Sequence, residues 1–270
     1  MNLSQLNINF FKEYFLNKAG IVIGEDKAYL LENRLAPVVK KLGFKSYDEL
    51  ILNIKLNKPN VVSECIDAIS TNETFFFRDI KPFRIFEQFI LPKIIASNTS
   101  DTIRIWSAAC SSGQEAYSIA ISLLENKAKL KGKKFEIIGT DISPSILKRA
   151  QEGVYNSFEI QRGLPVSLMI KYFEKASETD WKIKNEVKSF VKFKELNLLS
   201  DVSSLGDFDC VFCRYVLIYF DDKNKKLIAE KIIKRLKPCG ALIMGVPETN
   251  NLSPTALEPH SDLRSIFFRK

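Results

Sequence analysis

Residues 103–120 constrain the fold more than any other stretch of the chain. They begin with Ile103-Arg104-Ile105-Trp106-Ser107, an apolar run that predicts a buried strand. From Ala108 to Gly113 no side chain is longer than that of cysteine, so a ligand can approach the backbone closely. Gln114 and Glu115 then open an apolar helical run through Leu124. A strand–loop–helix of this kind presents free backbone N–H groups and the positive end of a helix. In an open α/β sheet the crevice beside it is the usual binding site. The competing reading is an ordinary βα turn. The G-x-G-x-x-G fingerprint is missing, which counts against nicotinamide or flavin dinucleotides and leaves other adenosyl ligands open.

From Thr102 onward, strands alternate with helices, the pattern of a parallel sheet. A second strand, 135–140, ends in Asp141, where nucleotide-binding sheets place the acceptor for ribose hydroxyls. Ser143 and Pro144 read as an N-cap and first helical residue, with the helix running to about Gln151 and Gly153 beyond it. Residues 208–213 form a nearly continuous apolar run, hence a central strand. A lysine-rich helix over 222–236, a turn at Lys237-Pro238-Cys239-Gly240, a strand over 241–246 and a last edge strand over 264–269 follow. Residues 155–195 interrupt the alternation. Trp181-Lys182-Ile183-Lys184 and Val191-Lys192-Phe193-Lys194 both alternate apolar and basic residues, which predicts two half-exposed strands of an inserted hairpin or small sheet.

Residues 1–69 read as a helical module. Phe10, Phe11, Tyr14 and Phe15 share a helix face, Gly20 and Gly24 mark a break, and a helix over 29–42 contains Pro37. Its polar side carries Arg34, Lys40 and Lys41, with Lys45 beyond: either a dock for an acidic partner or a solvated face. Ser46 caps a helix through Leu56, and 61–69 forms another. The segment Thr71-Asn72-Glu73-Thr74-Phe75-Phe76-Phe77-Arg78 follows. Its phenylalanines fit packing between domains, whereas Asn72, Thr74 and Arg78 need hydrogen-bond partners if buried. A helix over 83–96 starts at Pro82 and bends or restarts at Pro92.

Composition excludes several classes. No apolar run reaches 18 residues, and the first residues lack a basic-then-apolar leader, so a cytoplasmic protein is expected. The five cysteines are scattered, as suits reduced thiols. Cys210 and Cys213 stand three apart on a strand and face opposite sides, so they predict core thiols rather than a metal or redox pair. One histidine, His260, in a polar C-terminal loop, excludes His-rich metal sites and counts against a Ser-His-Asp triad. The net charge of +8 comes from dispersed lysines, which argues against a nucleic-acid tail.

Four motifs in order carry a resemblance: 71–78; 104–115; Gly139-Thr140-Asp141-Ile142-Ser143; and Phe212-Cys213-Arg214-Tyr215-Val216-Leu217-Ile218-Tyr219-Phe220. Together the chain resembles the CheR-type chemotaxis receptor glutamate O-methyltransferases over nearly its whole length. The resemblance implies a Rossmann-like class I S-adenosylmethionine-dependent methyltransferase domain with an inserted small antiparallel β-subdomain, preceded by a small all-helical domain. The implied boundaries are 1–69 for the helical domain, 70–90 for an interdomain segment touching cofactor, and 91–270 for the methyltransferase domain, with the insertion at about 155–195. The implied reaction moves a methyl group from S-adenosylmethionine to glutamates of methyl-accepting receptors and releases S-adenosylhomocysteine. Carried over by motif, the cofactor contacts are Asn72, Thr74, Arg78, Glu115, Asp141, Asn197, Leu198, Arg214 and Tyr215. Arg78 and Tyr219 are the implied catalytic residues, with no metal. The implied partner is the cytoplasmic helical bundle of the receptors, reached by a monomer that touches the membrane only through them and binds no nucleic acid. Two positions depart from the family pattern: Tyr215 stands where asparagine is usual, and Val246-Pro247 where histidine-serine is frequent. They give weight to a second reading, a catalytically weak cofactor-binding module that engages receptors. A third, a nucleic-acid methyltransferase, draws only on charge.

Overall fold

The computed structural model describes residues 3–24, 28–249, 257–260 and 263–270. The chain begins with four helices: α1 (Gln5–Ala19), α2 (Ala28–Lys41), α3 (Tyr47–Lys55) and α4 (Pro59–Ile69). Local chemistry sets their ends. The Ser4 and Ser46 hydroxyls accept from Asn7 N–H and Glu49 N–H, and Gly20 closes α1 in the left-handed conformation at φ 73°. Pro37 lies inside α2 without ending it. Phe11, Phe15, Leu31, Leu35, Leu50 and Cys65 meet in a core of their own.

A nearly continuous helical rod follows: α5 (Lys81–Ile85), a π-helical turn (Phe86–Ile90) and α6 (Leu91–Ser97). The expected disturbance at Pro92 appears as that π turn. Proline lacks the N–H that would close the preceding turn, and the wider turn absorbs the mismatch.

Next come β1 (Thr102–Ala108), α7 (Gln114–Glu125), β2 (Lys134–Asp141), α8 (Pro144–Glu152), β3 (Val154–Asn156), α9 (Ser157–Gln161), α10 (Val166–Tyr172), β4 (Phe173–Lys175), β5 (Asp180–Ile183), α11 (Asn185–Lys188), β6 (Val191–Glu195), β7 (Phe208–Cys213), α12 (Asp222–Arg235), β8 (Leu236–Met244), β9 (Leu257–His260) and β10 (Leu263–Arg269). The main sheet has the order β6-β2-β1-β7-β8-β10-β9, and β3-β5-β4 form a small antiparallel sheet. The strands from β6 to β8 are parallel; β10 runs antiparallel to both β8 and β9. This is the expected α/β methyltransferase-like sheet with a small antiparallel insertion. From β1 the chain runs outward through β2 to β6 and then returns to β7 on the other side of β1, so the carboxyl end of β1 lies at the topological switch point. The two faces of the sheet bury separate cores. Ile105, Tyr117, Ile137 and Phe212 lie on one side, and Trp106, Ile138, Val211 and Phe208 on the other. Cys210 joins the first core and Cys213 the second, so the C-x-x-C pair does straddle the sheet.

Four expectations are corrected. The run Val191-Lys192-Phe193-Lys194 belongs to β6, which pairs with β2 at the edge of the main sheet. An edge strand alternates for the same reason a small-sheet strand does: one face meets solvent. The strand over 264–269 is not an edge, because β10 sits between β8 and β9. His260 ends β9 and lies against Phe89 and Phe268 rather than in a loop. Lys237 to Gly240 is an irregularity inside β8, with Cys239 at φ 62°. Among the described residues, no helix is long and apolar enough to cross a membrane.

Candidate functional site

The carboxyl ends of β1, β2 and β7 open into one cleft of about 230 Å³. All ten residues singled out from the sequence line it: Asn72, Thr74, Arg78, Glu115, Asp141, Asn197, Leu198, Arg214, Tyr215 and Tyr219.

Asp141 leaves the end of β2 and is only 7% exposed. Its Oδ2 accepts from Ser111 N–H at 2.9 Å and its Oδ1 from Ser143 N–H at 3.1 Å. Ile142 N–H adds a third donor, and a carboxylate has about four acceptor positions, so one is left for a ligand. Burial pushes this carboxyl above the ordinary aspartate value, and the backbone N–H donors oppose that shift. Beside it, Ala109 and Ser111 adopt positive φ in the loop after β1, and the Ser111 hydroxyl donates to the Asn72 carbonyl at 3.0 Å.

The end of β7 is built around ions. Arg214, its side chain 1% exposed, donates from Nη1 to Glu115 at 3.0 Å and from Nη2 to Asp79 at 2.7 Å and the Arg78 carbonyl at 2.8 Å. Its Nε is buried and has no hydrogen-bond partner among the described residues. Glu115, from the first turn of α7, also accepts from the Ser107 hydroxyl at 2.8 Å. The loop after Arg214 hangs on Glu248. That one carboxylate accepts from four backbone N–H groups, those of Tyr215, Val216, Leu217 and Gly245, at 2.6–2.9 Å. Burial raises the Glu248 carboxyl, and the same donors pull it back. Sequence reasoning placed Glu248 only as the family glutamate that follows Val246-Pro247, with no role, and gave Asp79 none. Each acts on backbone or on another side chain.

Several sequence-predicted residues have duties of their own. The Asn197 amide donates to the Lys18 carbonyl at 2.8 Å and its oxygen accepts from Leu199 N–H, so it ties the end of α1 to the sheet. Leu198 is buried and packs with the core around Trp106. Tyr219 sits in a 3₁₀ turn (Leu217–Tyr219), and its carbonyl accepts from Val22 N–H at 2.8 Å. The phenylalanine expectation needs correction. Phe76 packs on Tyr155 and Phe173 of the inserted unit and Phe77 on Phe83, so they join parts of the α/β lobe rather than the two domains. Arg34 is corrected too. It donates to the Ile69 and Ser70 carbonyls and the Thr71 hydroxyl, fixing the domain junction beside the cleft. Lys41 pairs with Glu64, while Lys40 and Lys45 are exposed without an ion pair among the described residues.

Strain concentrates here. Phe77, Asp79, Ile80, Ala109, Ser111 and Tyr215 all hold positive φ between 49° and 69°, on two turns and one loop around the cleft. Such conformations cost roughly 1–3 kcal/mol each and persist where the surroundings over-determine them, which marks functional sites.

The donor set fits an adenosyl amino acid. Asp141 offers a spare acceptor to a vicinal diol, Glu115 offers one to an ammonium, and the arginine end offers N–H groups to a carboxylate. Ile142, Leu198 and Val216 supply apolar lining for a base. Among the described residues, no cluster of three or more His, Cys, Asp or Glu is arranged to hold a metal ion.

Two family models and several known proteins match the chain. Residues 72–264 match the family model described as CheR methyltransferase, SAM binding domain, and residues 6–70 match that described as CheR methyltransferase, all-alpha domain. The chain is 39% identical over 258 residues to chemotaxis protein methyltransferase 1 of Pseudomonas aeruginosa, covering 94% of each chain. It is 39% identical over 264 residues to the chemotaxis protein methyltransferase of Borreliella burgdorferi, covering 92% of each. The chemotaxis protein methyltransferase of Vibrio parahaemolyticus is 36% identical over 252 residues, covering 92% of this chain and 91% of that protein.

Proposed function

This chain belongs to the CheR methyltransferase family, and on that premise we propose that it methylates glutamate side chains of methyl-accepting chemotaxis receptors. Its cofactor is S-adenosylmethionine, and its activity is methyl transfer in chemotaxis. The glutamate acceptor, the receptor partner, the cytoplasmic setting, the monomeric state and the residue roles below are our reading. The observation that supports it most is that ten residues from five separate chain segments line a single cleft at the sheet's switch point.

When bound, S-adenosylmethionine supplies a methyl group on a positively charged sulfur. Asp141 accepts from the ribose diol, and Glu115 accepts from the methionyl ammonium while it stays paired with Arg214. Asn72, Thr74, Asn197, Leu198 and Tyr219 line the remaining wall, and in this reading Tyr219 would lie near the transferred group. Arg78 meets a carboxylate and stays away from sulfur, whose charge would repel it. The acceptor needs no general base, because an ordinary glutamate with a pKa of about 4.3 is already ionised at neutral pH. That fits a cleft without imidazole; His260 is not among the lining residues. Alignment and exclusion of water are then the chain's main contributions, since attack merges opposite charges. In this reading residues 1–69 are the helical domain, 70–90 the segment touching cofactor between lobes, and 91–270 the methyltransferase domain.

The test is incubation with methyl-labelled cofactor and membranes containing chemoreceptors. Base-labile label on receptor is expected. Label confined to nucleic acid, or bound cofactor without transfer, would replace this reading with one of its rivals.

A further inference from the structure

The two arginines of the cleft are held in opposite ways. Arg214 is buried against two carboxylates. Arg78 is half-buried, and no ion pair holds it among the described residues. Its side-chain hydrogen bond there runs from Nη1 to the Glu73 carbonyl at 2.8 Å. Aromatic rings do the rest. The Arg78 Cζ lies 3.8 Å from the Tyr215 ring centre and 5.5 Å from that of Phe75. Arg162, on the inserted unit, covers Phe75 at 4.4 Å, so guanidinium groups and rings alternate from Arg162 through Phe75 and Arg78 to Tyr215.

The Tyr215 ring is fixed at both ends. Its N–H donates to Glu248 at 2.7 Å. Its hydroxyl donates to Asp79 Oδ2 at 2.5 Å, the oxygen that also accepts from Arg214. This placement comes at a cost, since Tyr215 has φ 59°, a region that favours asparagine or glycine over a bulky residue. A ring face restrains a long cation without consuming its N–H groups, which stay available to a carboxylate.

We propose that Tyr215 is the positioning residue for Arg78. Its ring stacks the guanidinium at the cleft mouth, and its hydroxyl locks that ring to the Asp79–Arg214 pair. Arg78 thereby meets the acceptor carboxylate with its donors uncommitted. The proposal rests on the functional reading above and adds what the tyrosine after Arg214 contributes to it.

Steady-state methylation kinetics for Tyr215→Asn, Tyr215→Phe, Arg78→Ala and the double variant Tyr215→Asn/Arg78→Ala test it, alongside calorimetric binding of S-adenosylhomocysteine. Asparagine suits the backbone angle, so Tyr215→Asn should melt no lower than the parent. It should lose about fivefold in kcat/KM for the acceptor, the size of a half-exposed cation–π contact, with product affinity within twofold. Tyr215→Phe keeps the ring but loses its tie to Asp79, so its rate should fall between those of the parent and Tyr215→Asn. Because Tyr215 acts through Arg78, the double variant should be no slower than Arg78→Ala alone. Parent-like acceptor kinetics in Tyr215→Asn, or losses that multiply in the double variant, would overturn the proposal while leaving the functional reading intact. A parent protein that binds no product removes both.

Discussion

The two ends of the cleft solve the same problem, holding polar groups out of water, with different materials. At the β2 end a lone carboxylate, Asp141, leans on backbone N–H groups of Ser111 and Ser143. At the β7 end Arg214 pairs with both Glu115 and Asp79, and Glu248 gathers four backbone donors. The first end depends on a fixed backbone and keeps an acceptor free. The second depends on mutual compensation, so removing one member strands the others. The β2 end is therefore expected to tolerate substitution structurally and fail in binding, and the β7 end to fail in folding as well.

Glu248→Ala should show the largest effect. It leaves four backbone donors without their acceptor, at roughly 1–3 kcal/mol for each that stays buried. A loss of more than about 3 kcal/mol in denaturant melts is expected. A melt within about 1 kcal/mol of the parent would mean that water replaces the carboxylate and that the β7 end is not built on it.

Asp141→Ala should come next and act mainly on binding. Each charge-assisted hydrogen bond lost from the ribose side is worth about 1.5–3 kcal/mol, at least tenfold in affinity for S-adenosylhomocysteine by calorimetry. Its melting point should fall less than that of Glu248→Ala. The opposite ranking would erase the contrast between the two ends.

The pH dependence sharpens it further. Burial raises the Asp141 carboxyl above 3.8, so in the empty protein its ionisation costs stability as pH rises through the raised value. Only the ionised form keeps all its acceptor positions for donors, so product affinity should strengthen over that same rise. In Asp141→Asn this limb should vanish. A parent-like limb in that variant would assign it to another group.

The smallest effect belongs outside the cleft. Lys40→Glu on α2 should slow receptor methylation about twofold, and more at low salt, as expected of an exposed charge that steers encounter. Rates unchanged at every salt concentration would make this a solvated face only.

The same contrast explains what could be read in the sequence. The β2 end was legible because its parts are local: an apolar strand, an acidic residue at its carboxyl end, then Ser143-Pro144 opening a helix. The opposite placement of Cys210 and Cys213 was legible for the same reason, strand periodicity. At the β7 end the residues Arg214 and Tyr215 carried a family signal, but Asp79 and Glu248 lie about 135 and 33 positions away and declare themselves only in space. Likewise, Val191-Lys192-Phe193-Lys194 alternates as any half-exposed strand does, and nothing local says which sheet it joins. Arg34 looked like surface charge because its acceptors, the carbonyls of Ile69 and Ser70, have no side-chain signature.

The most direct test of the central claim is titration calorimetry of the purified protein with S-adenosylhomocysteine, run beside Asp141→Ala. One-to-one binding by the parent, weakened at least tenfold in a variant that still melts cooperatively, is the predicted result. Equal affinity in the two proteins would move the cofactor away from the β2 end and contradict the account.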